Sequence, residues 1–192
     1  NQPSDYNFRK AIEFMDKNED KEALKYANLQ IQDTPKSSDA YMLRAAICNT
    51  QEKYGSALAD VNTAIKYWNK NNLIKKYALY WHRADIYKNM GMLNEAIEDY
   101  GRAYNYVSKK DDVGAVRDIL YERANALYNT GDLEKADADF KLMLKYNEAD
   151  QVAMLGLARN MIRRDNYDEA IALCNECEKY DNTYGEIYRF RM

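Results

Sequence analysis

Residues 77–110 read YALYWHRADIYKNMGMLNEAIEDYGRAYNYVSKK, and this stretch decides the fold. Tyr80, Arg83, Ala84 and Tyr87 fall at i, i+3, i+4 and i+7, one face of a helix. Gly91 breaks that helix. Leu93, Ala96, Ile97, Tyr100 and Ala103 then form the stripe of a second helix. The unit is a pair of amphipathic helices joined by a turn.

The same pair recurs along the chain. Five Ala–Ala pairs, each 12 residues apart, mark it: Ala11/Ala23, Ala45/Ala57, Ala84/Ala96, Ala124/Ala136 and Ala158/Ala170. Their first members are separated by 34, 39, 40 and 34 residues. Small residues are needed where two helices cross closely, because a larger side chain from either would push the axes apart. Composition agrees. Hydrophobic residues make up 46% and charged residues 31%, enough for a packed chain, while seven Gly and two Pro are too few for a turn-rich β fold. The expectation is an all-α chain.

The pattern resembles the tetratricopeptide repeat (TPR), a unit of 34 residues carrying an aromatic, a small residue, a Tyr, a Gly turn, an Ala, an aromatic and a late Pro. Tyr80, Ala84, Tyr87, Gly91, Leu93, Ala96, Tyr100 and Ala103 carry the resemblance best. It extends over 4–37, 38–70, 77–110, 117–150 and 151–184, with 185–192 opening a sixth unit. Two departures stand out. Only the first unit has the late proline, Pro35, and Asn18, Glu52 and Asp165 occupy the usual glycine position. The resemblance implies a single domain over 1–192, a right-handed α-solenoid of five hairpins plus a truncated C-terminal helix.

The longer spacings place about five extra residues before the third and fourth units. Asn71-Asn72 and Asp111-Asp112 stand there, and Asn and Asp are good N-caps. Both insertions are read as one additional N-terminal turn on the following helix. At the chain start, Asn1-Gln2-Pro3-Ser4 is what cleavage of an export signal would leave, and a cloning boundary would leave the same. The reading leans to a periplasmic or secreted protein, with the cytoplasm as the alternative. The C-terminal register, open at Tyr188, suggests a parent protein that continues.

Several motifs suggest chemistry and are outweighed by packing. Cys174-Asn-Glu-Cys177 spells CxxC, but late in a second helix, at positions where other units have Ala27, Val61, Tyr100 and Phe140 or Gln30, Ala64, Ala103 and Met143. A redox pair wants a helix N-terminus, and zinc wants four ligands where the chain adds only Cys48 and one histidine, His82. His82 is read as an ordinary surface or inter-repeat residue. No catalytic residue, metal or cofactor is expected. The net charge of −3 gives no basic footprint for nucleic acid, and no apolar run reaches the roughly 18 residues that insert into a membrane.

Arg44, Arg83 and Arg123 each precede the first Ala of their pair, and Asp60, Asp99 and Asp139 each follow the second by three residues. Units one and five lack both partners. The joint occurrence predicts Arg44–Asp60, Arg83–Asp99 and Arg123–Asp139 pairs within their own repeats, serving structure rather than ligand; the alternative pairs neighbouring repeats.

Family geometry implies that first helices line a concave groove. The residues it assigns there are Phe8, Met42, Trp81 and Tyr121, then Ile12, Asp85, Asn125 and Arg159, then Lys88 and Tyr128. Trp and Tyr among polar groups suit a peptide or helix of a protein partner. The clamp by which some family members hold chaperone C-termini is missing. Its positions read Phe8, Ile12, Leu43, Ala78 and His82, or Met42, Ala46, His82, Asp118 and Glu122 one unit on. The leading expectation is a non-enzymatic interaction scaffold, with homo-oligomers possible. The alternative is the repeat segment of a longer protein, positioning or assembling a separate effector domain.

Overall fold

A computed structural model of the chain describes residues 5–110 and 112–180. The expected opening of a sixth unit at 185–192 lies outside the described residues. Two compact units are present, Asn1–Tyr106 and Val107–Met192. The first holds α1 (Tyr6–Asp16), α2 (Asp20–Asp33), α3 (Ser38–Thr50), α4 (Tyr54–Tyr67), α5 (Lys76–Asn89) and α6 (Leu93–Tyr106). The second holds α7 (Val113–Thr130), α8 (Leu133–Tyr146), α9 (Gln151–Arg163) and α10 (Tyr167–Cys177). Among the described residues there is no strand.

Consecutive helices pack as hairpins, and the paired alanines lie at each crossing. All ten are buried, nine without any exposed surface and Ala170 with 1%. Larger side chains fill the space beside them, among them Leu79, Ile86 and Tyr100 in the first unit and Leu120, Phe140 and Met143 in the second.

Every hairpin turns through a left-handed residue at the same repeat position. Gly91 and Gly131 take φ of 76° and 87°. Asn18, Glu52 and Asp165 take 57°, 58° and 61° in their places. The backbone requirement therefore survives the loss of glycine. Asn and Asp tolerate this conformation through their short polar side chains; Glu52 does not share that advantage.

The two insertions behave differently. Helix α7 begins 11 residues before Ala124, whereas α3 and α9 begin seven before Ala45 and Ala158, so α7 gains the expected turn. Its N-cap residue, Asp112, makes no side-chain capping bond, so capping is not what extends it. Helix α5 begins only eight residues before Ala84, and the extra turn expected there is absent. Its insertion is a fixed loop. The Asp39 carboxylate accepts the Leu73 and Ile74 backbone N–H groups at 3.1 and 2.9 Å, and Trp68 Nε1 donates to the Ile74 carbonyl at 2.9 Å. Asn72 and Asn69 side chains accept the backbone N–H groups of Asn69 and Asn71 at 2.7 and 2.9 Å. Asparagines that bond locally to the chain compete with the helix instead of capping it.

Candidate functional site

The arginine–aspartate pairs close within their own hairpins. Arg44 grips Asp60 through Nε and Nη2 at 2.7 and 2.6 Å, and Arg123 grips Asp139 through the same atoms at 2.7 and 2.5 Å. Arg83 donates to Asp99 at 2.5 and 2.9 Å, so each contact is a two-point fork. The carboxylate raises the already high pKa of Arg83, and Asp60 does the same for Arg44. In the first unit the remaining nitrogen reaches the preceding hairpin. Arg44 Nη1 donates to Asn28 at 2.8 Å, and Arg83 Nη1 to Asn62 at 2.7 Å. One guanidinium thus ties both the hairpin and its neighbour. Sequence reasoning missed the two asparagines, though each stands five residues after the second alanine of its unit.

The CxxC thiols are packing groups. Cys174 and Cys177 are 1% and 0% exposed and lie in one apolar cluster with Met154, Leu155, Ala158 and Ala170. Burial, then the neighbouring Cys174 and Glu178, push the Cys177 thiol above its usual pKa, the reverse of a reactive pair. We expect Ellman's reagent at pH 8 to leave Cys174 and Cys177 unmodified in the folded protein and to titrate them in urea. Rapid native labelling of either would return the pair to the list of reactive groups.

In the first unit the faces of α1, α3 and α5 border an open apolar trough of about 350 Å³. Phe8, Met42, Leu43, Ala46, Leu73, Ile74, Asp39 and His82 line it. Met42, assigned to the groove by sequence, is 5% exposed and forms its floor within the core rather than a free surface. Phe8 is half-buried along the wall, and Ile12 is exposed on α1. From α5 the lining residue is His82; Trp81 stands half-buried beside it in the sequence. His82 is exposed, and desolvation by the protein around it lowers its pKa against the pull of Asp85. Leu73, 79% exposed, stands on the anchored loop at the rim. No periodicity could find it, since it belongs to an insertion.

Asp85 and Lys88 are engaged within the unit. The buried Tyr100 hydroxyl donates to Asp85 at 2.6 Å, and Lys88 Nζ lies 3.5 Å from the same carboxylate.

In the second unit Tyr121, Asn125 and Tyr128 lie half-buried on α7. Arg159 on α9 donates to Asn125 Oδ1 at 2.8 Å, and its guanidinium carbon lies 4.0 Å from the centre of the Tyr128 ring. Arg163, one turn further along α9, lies 4.7 Å from the same ring and donates to the Tyr128 carbonyl at 2.6 Å. The sequence pointed to Arg159 and passed over Arg163. Among the described residues no helix is long and apolar enough to cross a membrane.

The comparisons with known proteins agree with this geometry. The family profile described as tetratricopeptide repeat matches residues 77–106 and 118–150. No curated protein sequence matches the chain. Among solved structures, a tetratricopeptide repeat protein from Parabacteroides merdae is 22% identical, with 100% of this chain and 72% of that one aligned at a TM-score of 0.81. YrrB, described as a TPR protein with an unusual peptide-binding site, is 14% identical over 94% of this chain and 88% of its own, at 0.74. The C-terminal part of a TPR protein from Cytophaga hutchinsonii is 20% identical over 96% of this chain and 68% of its own, at 0.79. With helical hairpins, left-handed turns and buried alanines in one register, the described residues are all-α, and the chain carries the tetratricopeptide repeat over residues 77–106 and 118–150.

Proposed function

We propose that the chain is a non-enzymatic scaffold that binds a peptide or helix of a partner protein on the face of its first helices, with 1–192 acting as one repeat domain. The observation that carries this reading is the trough of the first unit. It is open, apolar and floored by rigid core, and Leu73 stands at its edge. Concave apolar surface with a few polar groups, here Asp39 and His82, is what an extended or helical peptide buries its side chains against. The structural likeness to YrrB, whose description names a peptide-binding site, supports the same class of ligand.

The test is selection of displayed peptides on the wild-type chain, followed by titration of the enriched peptides against Leu73→Asp. Leu73 projects into solvent, so the variant should melt like the wild type. Peptide affinity should fall about tenfold or more, as expected when a charge replaces an interfacial apolar anchor. Failure to enrich any peptide over a non-binding helical control, or equal affinity for the variant, would overturn the trough as the binding surface.

A further inference from the structure

Leu73 is 79% exposed, more than any other large apolar side chain among the described residues. Its loop gives it no way to hide. The Asp39 carboxylate fixes the Leu73 and Ile74 backbone and also accepts from Asn72 Nδ2 at 3.3 Å. The side chain is therefore held out in water before any partner arrives, which lowers the ordering cost of using it.

The charge around it is one-sided. Between Asp60 and Asp85 the sequence holds no acidic residue, yet Lys66, Lys70, Lys75 and Lys76 stand there in a chain whose net charge is −3. Lys36 joins them in space, because the α2–α3 connection and Asn72 border one shallow depression. Two acids stand at the same end of the hairpins, and both are engaged. Asp33 accepts a 2.7 Å bond from Asn7, and Asp39 holds the loop. Aromatic rings steady Lys76: its Nζ lies 4.3 Å from the centre of the Tyr106 ring and 5.4 Å from that of Trp68.

A projecting aliphatic side chain ringed by lysines, with an exposed tyrosine beside it, suits a partner that is anionic outside and hydrocarbon within. Single-stranded nucleic acid, the other common polyanion, needs free ring faces on which bases stack. Here Trp68 is half-buried and bonded to the Ile74 carbonyl, and the Tyr106 ring is already stacked on Tyr80.

We propose that this end of the first unit docks on an anionic phospholipid membrane. Leu73 enters the boundary between headgroups and acyl chains, and the five lysines face the lipid phosphates. The contact is peripheral, since a single side chain enters the bilayer and among the described residues no helix is fit to cross it. Leu73 is shared with the trough, whereas the lysines line no part of it, so this proposal and the peptide-binding reading fail separately.

The test sediments the full chain with vesicles of phosphatidylcholine alone and with vesicles containing about one third phosphatidylglycerol. Binding is expected to the anionic vesicles only, weakening as salt rises. Lys36 and Lys70 are both exposed, so Lys36→Gln/Lys70→Gln should melt like the wild type and keep its peptide affinity. Its vesicle binding should fall about 25-fold, roughly fivefold for each charge removed. A nitrobenzoxadiazole dye on Leu73→Cys should shift to the blue on anionic vesicles. The same dye on Asn94→Cys, exposed at the opposite end of the third hairpin, should not. Equal binding to neutral vesicles, no binding to either, undiminished binding by the lysine variant, or an unshifted dye at position 73 would overturn the proposal. So would a single-stranded oligonucleotide that binds more tightly than the vesicles. Enrichment of peptides by a chain that ignores vesicles would leave the scaffold reading in place without the membrane contact.

Discussion

Replacing Asp99 by alanine should lower the folding stability by about 3 kcal/mol, near the lower end of the range for breaking a buried ion pair. The Asp99 side chain is wholly buried and accepts from Arg83 at two points and from Arg102 Nη1 at 2.5 Å. Its removal strands the Arg83 guanidinium, whose side chain is 16% exposed, between two helices. Arg102, 47% exposed, can turn to water, which keeps the loss from being larger. Urea denaturation measures it. The double variant Arg83→Met/Asp99→Leu should recover most of the stability, because an apolar pair of similar volume avoids the desolvation of both charges. A loss below about 1 kcal/mol in the single variant would show that water already reaches Arg83 and that the pair is worth no more than a surface bridge.

Gly156→Ala should also destabilise, with the sign opposite to that of an exposed helix. In a solvated helix interior the change gains about 1 kcal/mol. Here a Cβ at Gly156 would lie 2.7 Å from Phe140 Cε2 and closer still to Cε1 and Cζ. Phe140 has no exposed surface, so the ring has no open side to move into. Overpacking of this kind costs about 1–3 kcal/mol. The net result should be a lower thermal midpoint, partly restored by Phe140→Leu in the same chain. A midpoint at or above the wild type would mean that the ring moves aside cheaply.

Gly156 illustrates what a single sequence conceals. It sits in mid-helix, where periodicity registers only a missing apolar residue, while its cause is the ring of Phe140 across the helix crossing. The alanine pairs were legible because a close crossing demands the same small residue at the same spacing in every unit. The arginine–aspartate pairs were legible because both partners vanish together in units one and five. Asn28 and Asn62 escaped notice because neutral amides on a helix surface carry no charge pattern to match. The Asn69–Ile74 loop was misread because capping and local turn formation draw on the same residue types, and only Asp39, distant in sequence, decides between them. For the groove, repeat register named Arg159 and Tyr128, and the structure stacks the one on the other. Register alone could not show that Asp85 was already committed to Tyr100, nor that the partner on α9 was Arg163.

Each arginine of the three forks lies sixteen residues ahead of its aspartate. Closing so short a segment costs little chain entropy, and the cost is nearly the same in every hairpin. Contacts of this kind are local, and local topologies reach the native state quickly. During synthesis, at about 5–20 residues per second, each guanidinium therefore waits roughly one to three seconds for its carboxylate to be made. The fork can thus form as soon as both helices of its hairpin exist, while the stacking that stabilises the hairpin waits for its neighbours.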